Sequence, residues 1–118
     1  MDTFKKSYKV HFMDQPLCTI VIPVYNARQH LPESLTSVTS QQTDFPFEIV
    51  AVDDGSTDGS AAFIRSEFSG VRLFVKENGG PGSARNRAAK EAESDILVFL
   101  DADDVMLPGR LQHQVGYM

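Results

Sequence analysis

The chain has 118 residues, 42% hydrophobic and 23% charged, with one cysteine and a net charge of −5. This is enough for one ordinary globular domain with a modest core. The negative balance argues against nucleic acid as the main partner, no apolar stretch approaches the ~20 residues of a membrane helix, and no secretory h-region is seen.

Residues 1–16 read as a flexible polar lead-in, with a short extended piece at Tyr8–Phe12. The β-branched run Cys18–Val24 is the first strand. Its lone Cys18 cannot form an intrachain disulfide and reads as a small buried hydrophobe in a reducing, cytoplasmic compartment. Leu31, Leu35 and Val38 have the spacing of a core-facing helical stripe, and Pro32 suits an early helical position. Phe47–Val52 is the second strand. Ala61, Ile64 and Phe68 mark a second helix, capped by Thr57 or Asp58 and stopped at Gly70. Val71–Val75 is the third strand. Ser83–Glu93 is a third helix with Ala84, Ala88, Ala89 and Ala92 on its inner side. Asp95–Leu100, containing the apolar run Ile96–Leu100, is a fourth, buried strand. Residues 108–118 look like a helix just starting with no stop signal, so the chain is expected to be a truncated piece of a longer protein.

The order β-α-β-α-β-α-β predicts an α/β fold: a mostly parallel sheet, helices on both faces, right-handed crossovers. The four loops after the strands then emerge at one edge, where open α/β sheets bind ligands. In the first loop, Pro23-Val24-Tyr25-Asn26, Tyr25 either stacks on a base or packs on a helix. In the second, Asp53-Asp54-Gly55-Ser56-Thr57-Asp58, turn and cap chemistry explains part of the loop but not two adjacent carboxylates. Asp53 is therefore favoured as an acceptor for a base N–H or a ribose hydroxyl. The third loop, Asn78-Gly79-Gly80-Pro81-Gly82-Ser83-Ala84-Arg85-Asn86, lets backbone N–H groups approach a ligand at a helix N-terminus. Arg85 adds a forked cation. Alone, this loop lacks the P-loop pattern and reads as a plain turn; Arg87 reads as a solvated helix residue. The fourth, Asp101-Ala102-Asp103-Asp104, gathers three carboxylates at a strand end. A hard divalent cation, Mg²⁺ or Mn²⁺, relieves their repulsion and accepts phosphate oxygens as well. His11 and His30 look like surface residues, and His113 lies in the unfinished helix.

These four stretches together, beginning with Thr19-Ile20-Val21-Ile22-Pro23-Val24-Tyr25-Asn26 and ending with Phe99-Leu100-Asp101-Ala102-Asp103-Asp104, resemble the family 2 glycosyltransferases of the Rossmann-like GT-A fold. The likeness covers about residues 17–112, and four motifs in order are far more specific than any one. It implies that residues 17–118 form the nucleotide-sugar-binding part of such a domain, with a nucleoside-diphosphate sugar, a UDP-sugar being the expectation, as donor. Pro23 and Tyr25 would line the base pocket, Asp53 would bond the base, and Arg85 would lie near base and phosphates. Asp101 would approach ribose or metal, and Asp103 would coordinate Mn²⁺ or Mg²⁺ on the diphosphate, with Asp104 behind them. The implied reaction is metal-assisted transfer with inversion to a saccharide or lipid-linked acceptor, in cell-wall or polysaccharide synthesis, a setting compatible with a parent protein peripheral to a membrane. The catalytic base would lie beyond Met118, so these 118 residues are expected to bind donor weakly and turn over poorly.

Two other protein classes place carboxylates at strand ends in a similar fold. A nucleotidyltransferase would carry a glycine-rich basic loop after the first strand, which Pro23–Arg28 is not. A phospho-receiver domain would place its acidic pair after the first strand and its acceptor Asp after the third, whereas here the acidic clusters follow the second and fourth.

Overall fold

The computed structural model describes residues 15–116. The lead-in up to residue 14, with Tyr8–Phe12 and His11, lies outside them. The elements are β1 (Cys18–Val24), α1 (Leu31–Thr39), β2 (Phe47–Asp53), α2 (Ser60–Glu67), β3 (Arg72–Val75), α3 (Pro81–Glu91), β4 (Leu97–Phe99) and α4 (Arg110–Val115). The strands form one sheet in the order β3-β2-β1-β4, every pair parallel. Val21 is in register with Val50 on one side and Phe99 on the other.

Because side chains alternate across a strand, the sheet builds two cores. Cys18, Ile20, Ile22 and Val24 of β1 join Leu31, Leu35 and Val38 of α1, Ile64 of α2, and Leu111 and Val115 of α4. Val21, Val50 and Val52 face the other way, against Ala84 and Ala88 of α3. The sheet is thus covered on both faces, as the continuous apolar strands predict. Among the described residues no helix is long and apolar enough to cross a membrane.

Four details refine the sequence reading. Helix α3 begins at Pro81, whose missing N–H costs nothing in a first turn. Ala84 and Ala88 are buried, but Ala89 is exposed and Ala92 only half-buried. Four residues return a helix to the same face, and one more turns it away by about 100°; Ala92 lies past the last helical residue, Glu91, with an extended backbone. The apolar run before Asp101 gives only a three-residue strand at the sheet's edge, where Phe99 is 44% exposed. The second helix follows Gly59 at φ +87°, but Asp58 does the capping: its Oδ1 accepts from the Ser60 amide at 3.0 Å and hydroxyl at 2.5 Å.

At the edge away from the four loops, half-buried Glu48 accepts from Thr19 Oγ1 at 2.6 Å, Arg72 at 2.7 Å and the Glu93 amide at 2.6 Å. This ties the C-terminus of α3 to three strands. The sheet progresses outward from β1 through β2 to β3, then jumps back across β1 to β4. Ligands of open α/β sheets lie at the carboxyl end of such a reversal.

Candidate functional site

The loops after β1 and β2 are sewn together. Asn26, the one non-glycine residue with positive φ (+49°) among those described, accepts the Thr57 amide on Oδ1 at 2.8 Å and donates its own amide to Ser56 Oγ at 2.9 Å. The Arg28 amide donates to Asp58 Oδ2 at 3.0 Å, and its guanidinium lies 3.7 Å over the Phe63 ring. Tyr25, freed by this turn, is 55% exposed at the mouth of the loops.

Asp54 joins the second loop to the third. Its Oδ1 accepts from Lys76 Nζ at 2.8 Å and the Gly79 amide at 2.9 Å. Its Oδ2 accepts from the Gly80 amide at 2.9 Å and Asn78 Nδ2 at 3.2 Å. Burial by itself would raise this carboxyl's pKa. The bonds from Lys76, Gly79 and Gly80 and the charge of Lys76 outweigh it and hold the pKa below its ordinary 3.8. Gly55 makes the close approach possible: at φ +83° a Cβ there would sit 2.9 Å from the Asn78 amide nitrogen. The glycine amides that sequence reasoning offered to a ligand are therefore already committed to Asp54. The first-turn amides of Gly82 and Ser83 are the ones with no carbonyl four residues back inside α3.

Asp53 is placed differently. Adjacent residues of a strand point to opposite faces, so Asp53 turns from the side that Asp54 shares with α3. It is buried, its Oδ2 accepts the Ser56 amide at 3.1 Å, and its Oδ1 has no hydrogen-bond partner. It does not line the cavity between the loops, whereas Asp54 does.

After β4 the chain turns sharply, with the Asp104 amide donating to Asp101 O at 2.9 Å. Ala102 is buried beneath the turn and Asp101, Asp103 and Asp104 are exposed around it. One carboxylate oxygen from each lies within 4.8 Å of the others. Arg85, from the first turns of α3, approaches Asp101 Oδ1 at 3.7 Å, an exposed and loose pair. Three converging oxygen donors with so little cationic compensation fit a hard divalent ion; they would not suit a soft metal.

The loops enclose an open cavity of about 530 Å³, within the usual range for small-molecule sites. It lies over the reversal between β1 and β4. Of the residues singled out from sequence, Pro23, Tyr25, Arg85, Asp101 and Asp103 line it, and Asp53 does not. Asp54, Asn78 and His30 also line it; the sequence places the first two in candidate loops without giving either a role, and reads His30 only as a surface residue. His30 stands immediately before α1, at the binding edge, and that position was the available signal.

Residues 19–118 match the model of glycosyl transferase family 2. A Haemophilus influenzae protein described as an uncharacterized glycosyltransferase is 36% identical over 110 residues, which span 90% of this chain and 44% of that one. The chain is similar in structure to TarS of Staphylococcus aureus, a poly(ribitol-phosphate) β-N-acetylglucosaminyltransferase, solved as residues 1–349 with UDP-GlcNAc. The TM-score is 0.73 at 34% identity, covering 85% of this chain and 30% of that one. A mannosyltransferase from Pyrobaculum calidifontis, solved with GDP-Man and Mn²⁺, matches with a TM-score of 0.66 at 31% identity, covering 81% and 30%. The chain thus spans less than half the length of these relatives.

Proposed function

The chain belongs to glycosyl transferase family 2, and from that premise we propose that it supplies the donor site of an enzyme moving a sugar from a nucleoside-diphosphate sugar to an acceptor hydroxyl. The fold is that of the GT-A glycosyltransferases. The observation that carries the proposal is the convergence, in one cavity over the strand-order reversal, of an exposed Tyr, an Arg, a helix N-terminus and the acidic turn.

Pro23 and Tyr25 offer an apolar platform for a base. The first turn of α3 and Arg85 offer positive potential to a diphosphate. Asp103 and Asp101, with Asp104 beside them, would hold Mg²⁺ or Mn²⁺. Such an ion would stabilise charge on the departing diphosphate. The chain's own contribution is to bind and orient the donor: Asp54 fixes the glycine-rich loop, and the buried Ala102 keeps the acidic turn on the cavity rim. Inversion at the anomeric carbon, a base outside these residues, and a saccharide or lipid-linked acceptor at a cytoplasmic membrane face complete the proposal. A relative that modifies poly(ribitol-phosphate) supports the polymeric acceptor.

Calorimetric titration with UDP, GDP and CDP, with and without Mn²⁺, tests the donor site. Binding of at least one of the three is expected to strengthen with Mn²⁺, and Asp103→Ala to remove that increment. Absence of Mn²⁺-linked binding to all three would overturn the proposal. Metal-linked binding unchanged by Asp103→Ala would remove that residue from it.

A further inference from the structure

The acidic turn carries three like charges within 4.8 Å and sits next to an edge strand of three residues. Something other than the sheet must hold its shape. On the strand side the Leu100 amide donates to Val21 O at 3.0 Å. On the exit side the hold comes from α1 and the residues just beyond it, more than sixty positions earlier in the chain.

Gln41 is a polar side chain buried to 6% exposure, past the C-terminus of α1. Its Nε2 donates to Leu107 O at 2.9 Å and Ser37 O at 3.2 Å, with Met106 O at 3.4 Å, and its Oε1 accepts the Leu111 amide at 3.1 Å. One amide therefore grips the segment leaving the acidic turn and the start of α4. Ser37 adds a second hold: its hydroxyl accepts the Met106 amide at 2.9 Å and donates to Ser34 O at 2.6 Å. The Met106 side chain is buried at 1% exposure, and only Val105 separates it from Asp104. A buried amide that uses both its donor and acceptor sides in this way fixes the backbone it touches.

We propose that Gln41, assisted by Ser37, is a positioning residue for the divalent-cation site: it holds the backbone just after Asp104 so that the three carboxylates converge before any ion arrives. This rests on the donor-site reading above for the ion's role, but the clamp itself is a contact of this chain. Pre-organisation is what such a site needs, because gathering like charges around an ion at the moment of binding would weaken its affinity. Gln41 neither lines the cavity nor belongs to the acidic group, so its effect should fall on the metal and spare the metal-free contacts.

The test compares the full chain with Gln41→Leu, Ser37→Ala and a control, Ile64→Ala, whose fully buried side chain belongs to α2 and lines neither cavity nor clamp. All are studied well below their unfolding temperatures. Mn²⁺ affinity is read by water-proton relaxation with saturating UDP, and UDP affinity without metal by calorimetry. Gln41→Leu is expected to weaken Mn²⁺ on the order of tenfold, the scale seen when supports behind metal ligands are lost, with UDP alone unchanged within about twofold. Ser37→Ala should act in the same direction by less, and serves if Gln41→Leu does not fold. Unchanged Mn²⁺ affinity in both, or an equal loss in Ile64→Ala, overturns the proposal. If the parent chain binds no Mn²⁺ with UDP, the donor-site reading fails instead, and the clamp is judged by amide hydrogen exchange. Faster exchange at Asp104 and Met106 in both clamp variants, and not in the control, supports it; unchanged exchange overturns it.

Discussion

Asp54→Asn should unfasten the glycine-rich loop while hardly changing side-chain volume. The native carboxylate fills its acceptor positions with four donors, at 2.8, 2.9, 2.9 and 3.2 Å. An amide in its place keeps one acceptor oxygen and aims an N–H₂ at two of those donors. Hydrogen bonds to a charged group contribute roughly 1.5–3 kcal/mol each, so two lost bonds suggest about 3–6 kcal/mol. Lys76, with 18% of its side chain exposed, regains some hydration and draws the expected loss to about 3 kcal/mol, a large part of the 5–15 kcal/mol typical of a domain. Urea denaturation followed by circular dichroism at pH 7 should show the midpoint falling with little change in slope. The pH dependence gives a second check. The folded Asp54 pKa lies below 3.8, so its ionised form stabilises the fold above pH 3.8, and this contribution is lost as pH falls through the folded value. The gap between wild type and variant should narrow in that acid range. A loss under about 1 kcal/mol at pH 7, or a gap that stays constant on acidification, would refute the role given to this carboxylate.

Gly55→Ala should cost about 2–4 kcal/mol in thermal or urea denaturation, combining left-handed backbone strain with a contact 2.9 Å from the Asn78 amide nitrogen. Gly59→Ala shares the positive φ but meets open space, so it should cost only about 1 kcal/mol; equal costs would sink the close-approach explanation. Arg85→Ala should leave stability within about 0.5 kcal/mol, because its pair with Asp101 is exposed and 3.7 Å long, while calorimetric UDP affinity falls roughly tenfold. Burial first, then the nearby Glu48 charge, pushes the Cys18 thiol from 9.0 up to about 11. Its neutral form is favoured by folding, so stability should decline between pH 9 and 11 by up to about 1.4 kcal/mol per pH unit. Cys18→Ala should flatten that decline, as pH-dependent urea melts would reveal.

Much of the fold was legible because its signals are local. Cys18–Val24 and Phe47–Val52 read as strands from β-branched runs, and Leu31, Leu35 and Val38 as a helical stripe; all the apolar residues of that stripe are fully buried. The β-α alternation requires parallel strands and one shared loop edge, which is why Pro23, Tyr25, Arg85, Asp101 and Asp103 end up lining one cavity. Sequence favours Asp53, but Asp54 is the one that lines the cavity, because adjacency in sequence does not say which of two neighbours faces α3. The face depends on where β2 leaves the sheet, and only the pairing register settles that. Ala89 was assigned inward because alanine content carries no direction around a helix, and Phe99 because an apolar run does not reveal that its strand lies at the edge.

Sequence alone therefore determined the elements, their order and the chemistry available at the binding edge, since these follow from periodicity and residue type. Tertiary structure decided the order β3-β2-β1-β4, the commitment of Gly79 and Gly80 to Asp54, and the grip of Gln41 on residues more than sixty positions away. Those are hydrogen bonds between distant segments, and they exist only once packing has brought the segments together.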